Sequence, residues 1–156
     1  MRIFLISACL VLAGMVVSCV NGPAKTAGFD DVRGKEWELT EVISSAGNIV
    51  IDRQKPEAGG AADVYTLLID SDRISGKASP NRYFAPYKLE DGQGISFGAI
   101  AGTLMANLND PGGLQEETYY RLLENTYRWN LAGDRLELFT KDSGGTDAKL
   151  TYREKL

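Results

Sequence analysis

The sequence predicts an α+β fold, in which a curved, mostly antiparallel β-sheet, partly closed like a barrel, packs against one α-helix. Two observations carry this prediction. Short segments of alternating apolar and polar residues follow one another at close spacing, separated by turns rich in Gly, Asp and Ser. One segment, from about residue 113 to 126, instead repeats its apolar residues at the spacing of an amphipathic helix.

The first predicted strand runs from Lys35 to Ile43 and alternates, with Trp37, Leu39 and Glu41 on one face. The other segments with strand character are Asn48–Asp52, Val64–Asp70, Arg73–Lys77, Asn81–Glu90, Ile95–Ile100, Tyr127–Leu131, Arg135–Thr140 and Lys149–Arg153. Pro86 restricts its strand to an edge or a bulge, because proline cannot donate a hydrogen bond to the ladder. We expect Trp37 and Met105 to lie in the core.

The predicted helix begins after Asp110-Pro111, a plausible cap followed by a first-turn proline. Its apolar stripe is formed by four residues at positions i, i+3, i+4 and i+7, namely Tyr119, Leu122, Leu123 and Thr126. Glu116 and Glu117 fall in the first turn, where negative charge suits the helix dipole. The stripe is expected to pack on the sheet.

The N-terminus has the features of a bacterial lipoprotein signal peptide. Arg2 leads into an apolar run that ends in Val16-Val17-Ser18-Cys19, a pattern similar to a lipobox. We therefore expect residues 1–18 to be removed and Cys19 to carry the lipid that attaches the protein to the membrane. The alternative is an ordinary secretory signal, with Cys19 incidental. Residues 19–33 are interpreted as a flexible tether and residues 34–156 as the domain.

Composition narrows the range of functions. The chain has 17 basic and 21 acidic residues, spread rather than gathered into runs, which argues against nucleic acid or anionic headgroups as the natural partner. It has no histidine, and its two cysteines are Cys9 and Cys19, both in or beside the signal peptide. A Ser-His-Asp or Cys-His catalytic arrangement is therefore impossible. We expect no enzymatic activity, no catalytic residues, no cofactor and no metal site.

Three short motifs have both a functional and a structural interpretation. Glu116 and Glu117 are adjacent helix residues that point about 100° apart, so a general acid and base pair is less plausible than solvated charge. The turn Asp70-x-Asp72 supplies too few oxygen atoms for calcium. The basic and aromatic segment Asn81–Phe84, with Tyr87-Lys88, resembles single-strand binders. In an acidic protein, however, it is better explained by amphipathic strand packing.

Taken in order, several motifs resemble the META domain of HslJ-type bacterial envelope lipoproteins. Those motifs are Trp37 in GKEWELTEV, Ile74-Ser75-Gly76 followed by Asn81-Arg82-Tyr83, Ile95-Ser96-Phe97, Thr103-Leu104-Met105-Ala106, Glu117 with Tyr120, Leu123 and Tyr127, and Gly133–Leu138. The resemblance covers about residues 34–152. It implies a compact β-rich fold with a helix.

The chain departs from the family pattern at two positions. Many members carry a cysteine before the Asn and another after Met-Ala, thought to form a disulfide. Here those positions are Pro80 and Asn107, so the pair is missing together. The resemblance therefore does not imply a disulfide in this protein.

The family is linked to heat-shock and envelope-stress responses and to novobiocin resistance. We therefore expect a monomeric, non-enzymatic, lipid-anchored envelope module that supports envelope integrity through contact with an unknown envelope protein. In a Gram-negative cell, Val20 after the cysteine fits the outer membrane, facing the periplasm. The alternative is a small-ligand-binding module that uses the interior or mouth of the curved sheet.

Overall fold

A computed structural model describes residues 28–53, 63–106 and 110–156 and confirms the predicted α+β class. The strands of the described ranges are β1 (Glu36–Ser44), β2 (Gly47–Val50), β3 (Thr66–Ile69), β4 (Arg73–Lys77), β5 (Arg82–Leu89), β6 (Ile95–Phe97), β7 (Ala101–Gly102), β8 (Arg128–Ala132), β9 (Arg135–Lys141) and β10 (Asp147–Glu154). These ranges also contain one α-helix, α1, which spans Glu116–Glu124.

The strands form one antiparallel sheet in the order β6-β5-β4-β3-β1-β10-β9-β8, with β2 added to β1 and β7 added to β5. The two ends of this order meet near the start of β8. The Trp129 N–H donates to the Gln93 carbonyl at 2.9 Å, and the Ile95 N–H donates to the Tyr127 carbonyl at 3.3 Å. These bonds make the curved sheet a nearly closed barrel, because they join its first and last strands.

A bulge in β1 corrects one predicted residue position. The register of β1 against β10 shifts between Leu39 and Glu41, so the alternation of side chains is interrupted there. Val42, rather than Glu41, is therefore buried on the same side as Leu39. The bulge also leaves the Leu39 carbonyl to accept hydrogen bonds from the Arg53 guanidinium at 2.7 and 3.0 Å.

Pro86 does not lie on an edge strand, but it lies at an irregularity of the predicted kind, because the register of β5 against its second neighbour shifts by one residue between the Phe84–Ala101 and Tyr87–Phe97 pairs. It sits within β5, opposite Arg73 of β4, between the residues that pair with β7 and those that pair with β6. Because β5 changes its second partner at this point, the missing N–H costs little ladder bonding. The Pro86 carbonyl accepts a bond from the Gly98 N–H at 2.8 Å.

The helix begins later than predicted, but its buried face is the predicted one. Residues Pro111–Gly113 form a separate 3-10 turn, in which Gly112 has a φ of 66° and so interrupts α-helical geometry. The α-helix therefore starts at Glu116, with Gln115 as its cap. The four residues of the predicted stripe, Tyr119, Leu122, Leu123 and Thr126, are all buried.

The barrel interior of the described chain is filled by side chains. Its largest fully buried residues are Trp37, Tyr65, Tyr119, Tyr152, Leu39, Leu67, Ile69, Ile74, Ile95, Leu114, Leu123 and Leu136. Tyr119 joins α1 to the sheet, since its hydroxyl lies 3.0 Å from that of Tyr83 on β5 and 3.2 Å from that of Tyr152 on β10. Trp37 is in the core, as predicted.

The segment before β1 is part of the packed domain. Phe29–Asp31 form a 3-10 turn, and the Phe29 ring lies 5.2 Å from that of Trp129. Val32 is fully buried, and its carbonyl accepts a bond from the Trp37 indole N–H at 3.0 Å. Residues 28–33, assigned from the sequence to the tether, therefore belong to the domain. Residues 1–18, the predicted signal peptide, and residues 19–27 lie outside the described residues.

Candidate functional site

The sequence analysis named three positions that concern cysteine: the predicted lipid-attachment site and the two positions where family members carry a disulfide. The structure describes only one of them, Pro80. Cys19 and Asn107 lie outside the described residues. Pro80 is half-buried in the link between β4 and β5, next to the buried residues Ser79 and Asn81. Most of the hydrogen bonds that this link makes to other segments come from Asn81.

The Asn81 side chain binds the segment after β7. Its amide oxygen accepts bonds from the Thr103 hydroxyl and the Met105 N–H, both at 2.7 Å. Its amide nitrogen donates to the Met105 carbonyl at 3.1 Å. Asn81 itself is 4% exposed, and these bonds to the more exposed partner segment are partly buried. One side chain therefore fixes the backbone of residues 103–105.

Asn81 also ties this segment to the start of α1. The Glu116 carboxylate accepts a bond from the Asn81 N–H at 2.9 Å and another from its amide nitrogen at 2.6 Å. Glu117 instead points to solvent and pairs with Arg121, one helical turn later, at 3.6 Å. The two carboxylates therefore have separate partners and do not converge on one reacting group.

The backbone that Asn81 holds presents two apolar side chains to solvent. Leu104 is fully exposed and Met105 is 61% exposed. The prediction that Met105 lies in the core was wrong, because its main chain is bonded to Asn81 while its side chain points outward. We call Leu104 and Met105 the exposed loop pair. An apolar pair on a fixed backbone is suited to contact with another molecule.

A cluster of tyrosines occupies the junction of α1 with the barrel. The Tyr83 hydroxyl donates to the Thr66 carbonyl at 2.8 Å and lies beside that of Tyr119. Burial raises the pKa of Tyr119 to about 12, although hydrogen bonds with Tyr152 and Tyr83 act in the opposite direction. Burial also raises the pKa of Tyr83 and Tyr152. These hydroxyls are neutral at physiological pH and serve as structural hydrogen-bonding groups.

The outer surface of β3, β4 and β5 carries a groove of about 510 Å³, which we call the outer groove. Leu68, Ser75 and Phe84 are successive cross-strand neighbours in it. Arg73, Lys77 and Arg82 supply basic side chains, while Glu36, Asp63 and Asp70 supply acidic ones. Thr66, Gly76 and Tyr83 also contribute to its lining.

The remaining candidate motifs are explained by local structure. Asp70 and Asp72 lie in the turn between β3 and β4, where the Asp70 carboxylate accepts a bond from the Ser71 N–H at 2.8 Å. Within the described ranges, no group of three or more His, Cys, Asp or Glu residues is placed to hold a metal ion. The same residues include no helix long and apolar enough to cross a membrane.

Comparison with known proteins agrees with this fold. The family model described as META domain matches residues 30–152. An NMR structure of a protein from Burkholderia xenovorans is similar, with a TM-score of 0.60 and 22% identity, over 92% of this chain and 99% of that chain. At that identity the similarity concerns the fold alone. No curated protein matches the chain. Since the family model covers most of the sequence, the chain belongs to the META domain family.

Proposed function

We propose that this META-domain chain is a non-enzymatic module of the cell envelope, held by a lipid on Cys19, that supports envelope integrity or the stress response through a protein contact. The lipobox-like sequence at Cys19 supports the anchor. In a Gram-negative cell the module would lie at the outer membrane and face the periplasm. The proposed role requires a contact surface rather than a catalytic centre.

The exposed loop pair is the observation that carries the protein contact. Leu104 and Met105 together expose a large apolar surface, although the backbone beneath them is fixed by Asn81. A surface that is already ordered loses little conformational entropy when a partner covers it. By contrast, Trp37, Tyr119 and Tyr152 fill the barrel interior, which favours a protein contact over a ligand held inside the sheet.

Photo-crosslinking in intact cells tests the contact. A benzoylphenylalanine at position 104 is expected to capture one envelope protein reproducibly, because Leu104 would lie within the interface. The matched control places the same probe at Val50, which is 61% exposed and lies on β2. Capture of the same proteins from both positions would contradict a contact made by the exposed loop pair.

Mass measurement of the purified protein tests the anchor. The chain is expected to begin at Cys19 and to carry the mass of attached acyl chains, and Cys19→Ala should abolish that mass. The control is Cys9→Ala, which changes the other cysteine, within the apolar run of the signal. The anchor hypothesis fails if the Cys19→Ala chain keeps the same modification and the same membrane association.

A further inference from the structure

The outward positions of β4 and β5 carry cations and no anions. In β5, Arg82, Phe84, Pro86 and Lys88 are exposed, whereas Tyr83 and Ala85 between them are buried. The outward residues of β4 are Arg73, Ser75 and Lys77. We call the four cations with Phe84 the basic face: Arg73, Lys77, Arg82, Lys88 and Phe84. The chain as a whole has a formal net charge of −4, whereas the outward side chains of these two strands include four cations and no carboxylate.

Two of these cations are placed directly against each other. Lys77 and Arg82 are cross-strand partners in the β4–β5 pair, an arrangement that disfavours folding unless the charges are compensated. None of the four cations forms an ion pair within the described part of the chain. The repulsion would be relieved by an anion bound from outside.

Of the three carboxylates that line the outer groove, two bind another cation, and the third, that of Asp70, accepts a bond from the Ser71 N–H at 2.8 Å. Asp63 and Glu36, at one rim of the outer groove, both bind the Lys155 ammonium, at 2.5 and 3.1 Å. The contact with Lys155 is the main reason that the pKa of Asp63 is low. Asp63 is also close enough to interact electrostatically with Lys77 and Arg82, but its carboxylate is held by Lys155.

The middle of the basic face is apolar. Phe84 is 53% exposed and projects between Arg82 and Lys88, and Ser75 beside it is small enough to leave the outer groove open. An aromatic ring among cations suits an interface in which charged headgroups lie above an apolar layer. The face therefore combines electrostatic attraction with an aromatic side chain that can enter the headgroup region.

The N-terminal segment limits how far this face can be from a membrane. Cys19 precedes Gly28 by nine residues, which span at most about 30 Å when fully extended. The domain begins beside β5, since the Phe29 ring lies 5.6 Å from that of Tyr87. If Cys19 is lipidated, as proposed above, the membrane surface is within reach of the strand that carries Arg82, Phe84 and Lys88.

We propose that the basic face docks on the anionic phospholipid headgroups of the membrane that holds the Cys19 lipid. This inference rests on the proposed anchor and adds a defined orientation to it: the outer surface of β4 and β5 faces the bilayer. Although the basic and acidic residues are spread along the sequence, the β4–β5 hairpin gathers four cations on one surface.

The test uses the full lipidated chain with Phe84→Trp, in nanodiscs made of brominated phosphatidylglycerol or of brominated phosphatidylcholine. The native Trp37 and Trp129 are buried, so the new indole reports on the face. Quenching of the fluorescence of this indole by the brominated lipid should be about threefold greater in phosphatidylglycerol than in phosphatidylcholine. It should fall to the phosphatidylcholine level when Lys77→Gln and Arg82→Gln are added. The matched control adds Arg135→Gln and Lys141→Gln on β9 and should leave the difference unchanged.

The outcomes separate this proposal from the anchor. The mass of the chain reports whether lipid is attached. If it is absent, the proposed anchor fails, and mixing the same chain with the two kinds of nanodisc still tests the face. Equal quenching in both lipids would overturn the proposal and would leave an acidic protein surface as the alternative occupant. Quenching that prefers phosphatidylglycerol but survives the Lys77 and Arg82 substitutions would also overturn it.

Discussion

Asn81 shows how one polar side chain can organise a segment distant in sequence. Its amide makes two hydrogen bonds to the backbone of Met105, one to the Thr103 hydroxyl and one to Glu116. These bonds connect the start of β5 to the segment after β7 and to the start of α1. In the family pattern that this sequence resembles, two cysteines flank this same connection. Here hydrogen bonds hold it.

The substitution Asn81→Ala is therefore expected to lower the free energy of unfolding by about 2–4 kcal/mol, because it leaves buried groups without partners. Urea unfolding followed by fluorescence measures this change. Asn48→Ala is the control, since Asn48 makes an exposed bond to Glu41 and its loss should cost under about 0.5 kcal/mol. Equal costs for the two variants would contradict the role given to Asn81.

Gly76 is required by the close approach of β3 and Tyr83. A Cβ at this position would lie 2.0 Å from the Thr66 carbonyl oxygen and 2.8 Å from the Tyr83 hydroxyl. Gly76→Ala must therefore displace backbone and disturb the bond between Tyr83 and Thr66. We expect a loss of about 2–4 kcal/mol in the free energy of unfolding.

Thermal and urea unfolding of Gly76→Ala, compared with Gly28→Ala, measures the effect. An added Cβ at Gly28 meets only the Asp31 carboxylate, at an ordinary distance of 3.8 Å. The control should remain close to the unsubstituted chain. If Gly76→Ala were as stable as the control, the close approach of β3 to Tyr83 could not be present in the folded protein.

At the level of the elements, the strands and the helix were predictable because their patterns are local. The stripe formed by Tyr119, Leu122, Leu123 and Thr126 is visible as a helical repeat, and each of these side chains is buried. The alternation in β5 is equally clear. Local pattern does not reveal the bulge after Leu39, because a bulge depends on pairing with β10, which is distant in sequence.

The site was less predictable than the fold, for the same reason. The exposure of Met105 depends on hydrogen bonds to Asn81, 24 residues earlier, which no periodicity reveals. The basic face requires the β4–β5 hairpin to bring Lys77 opposite Arg82. A polar Asn directly after Pro80 was the available signal for the first feature. The basic face had no comparable signal, because basic and acidic residues are spread along the sequence.

The β4–β5 connection is joined to the segment after β7 by hydrogen bonds rather than by a disulfide. The stability of the domain should therefore be insensitive to reducing agents. A disulfide closing a loop of about 28 residues would contribute roughly 3–4 kcal/mol in the chain-entropy model. The sequence has Pro80 and Asn107 at the two cysteine positions, and we expect Pro80 to recover a fraction of that free energy by stiffening the unfolded chain. The Tm measured by circular dichroism should be unchanged by dithiothreitol. A clear fall in Tm would show that a disulfide contributes to stability.

For the whole molecule, the barrel and the helix form one cooperative unit through buried tyrosines. Tyr119 on α1 contacts Tyr83 of β5 and Tyr152 of β10, strands that are not neighbours in the sheet. The rings of Tyr65 and Tyr83 also lie edge-on to that of Tyr119, with centroids 5.1 and 5.8 Å away. Any change that charges one of these hydroxyls should therefore destabilise the barrel and the helix together.

This coupling predicts unfolding at alkaline pH. The pKa of Tyr119 is raised to about 12 in the folded chain, whereas an unfolded tyrosine titrates near 10. Between these values the unfolded state loses its proton first, so the stability is intact below pH 10 and falls as the pH rises toward 12. For Tyr119 alone the loss is about 2–3 kcal/mol, and Tyr83 and Tyr152 add to it in the same direction.

Urea unfolding at successive pH values measures this loss, and tyrosinate absorbance should rise together with the loss of β-structure. Tyr119→Phe removes one titrating group, so its stability should be lower at neutral pH but should fall less steeply above pH 10. Tyr127→Phe is the control, because Tyr127 is partly exposed and should leave the slope unchanged. Ionisation of all the tyrosines near pH 10 in a chain that stays folded would show that the cluster is open to water.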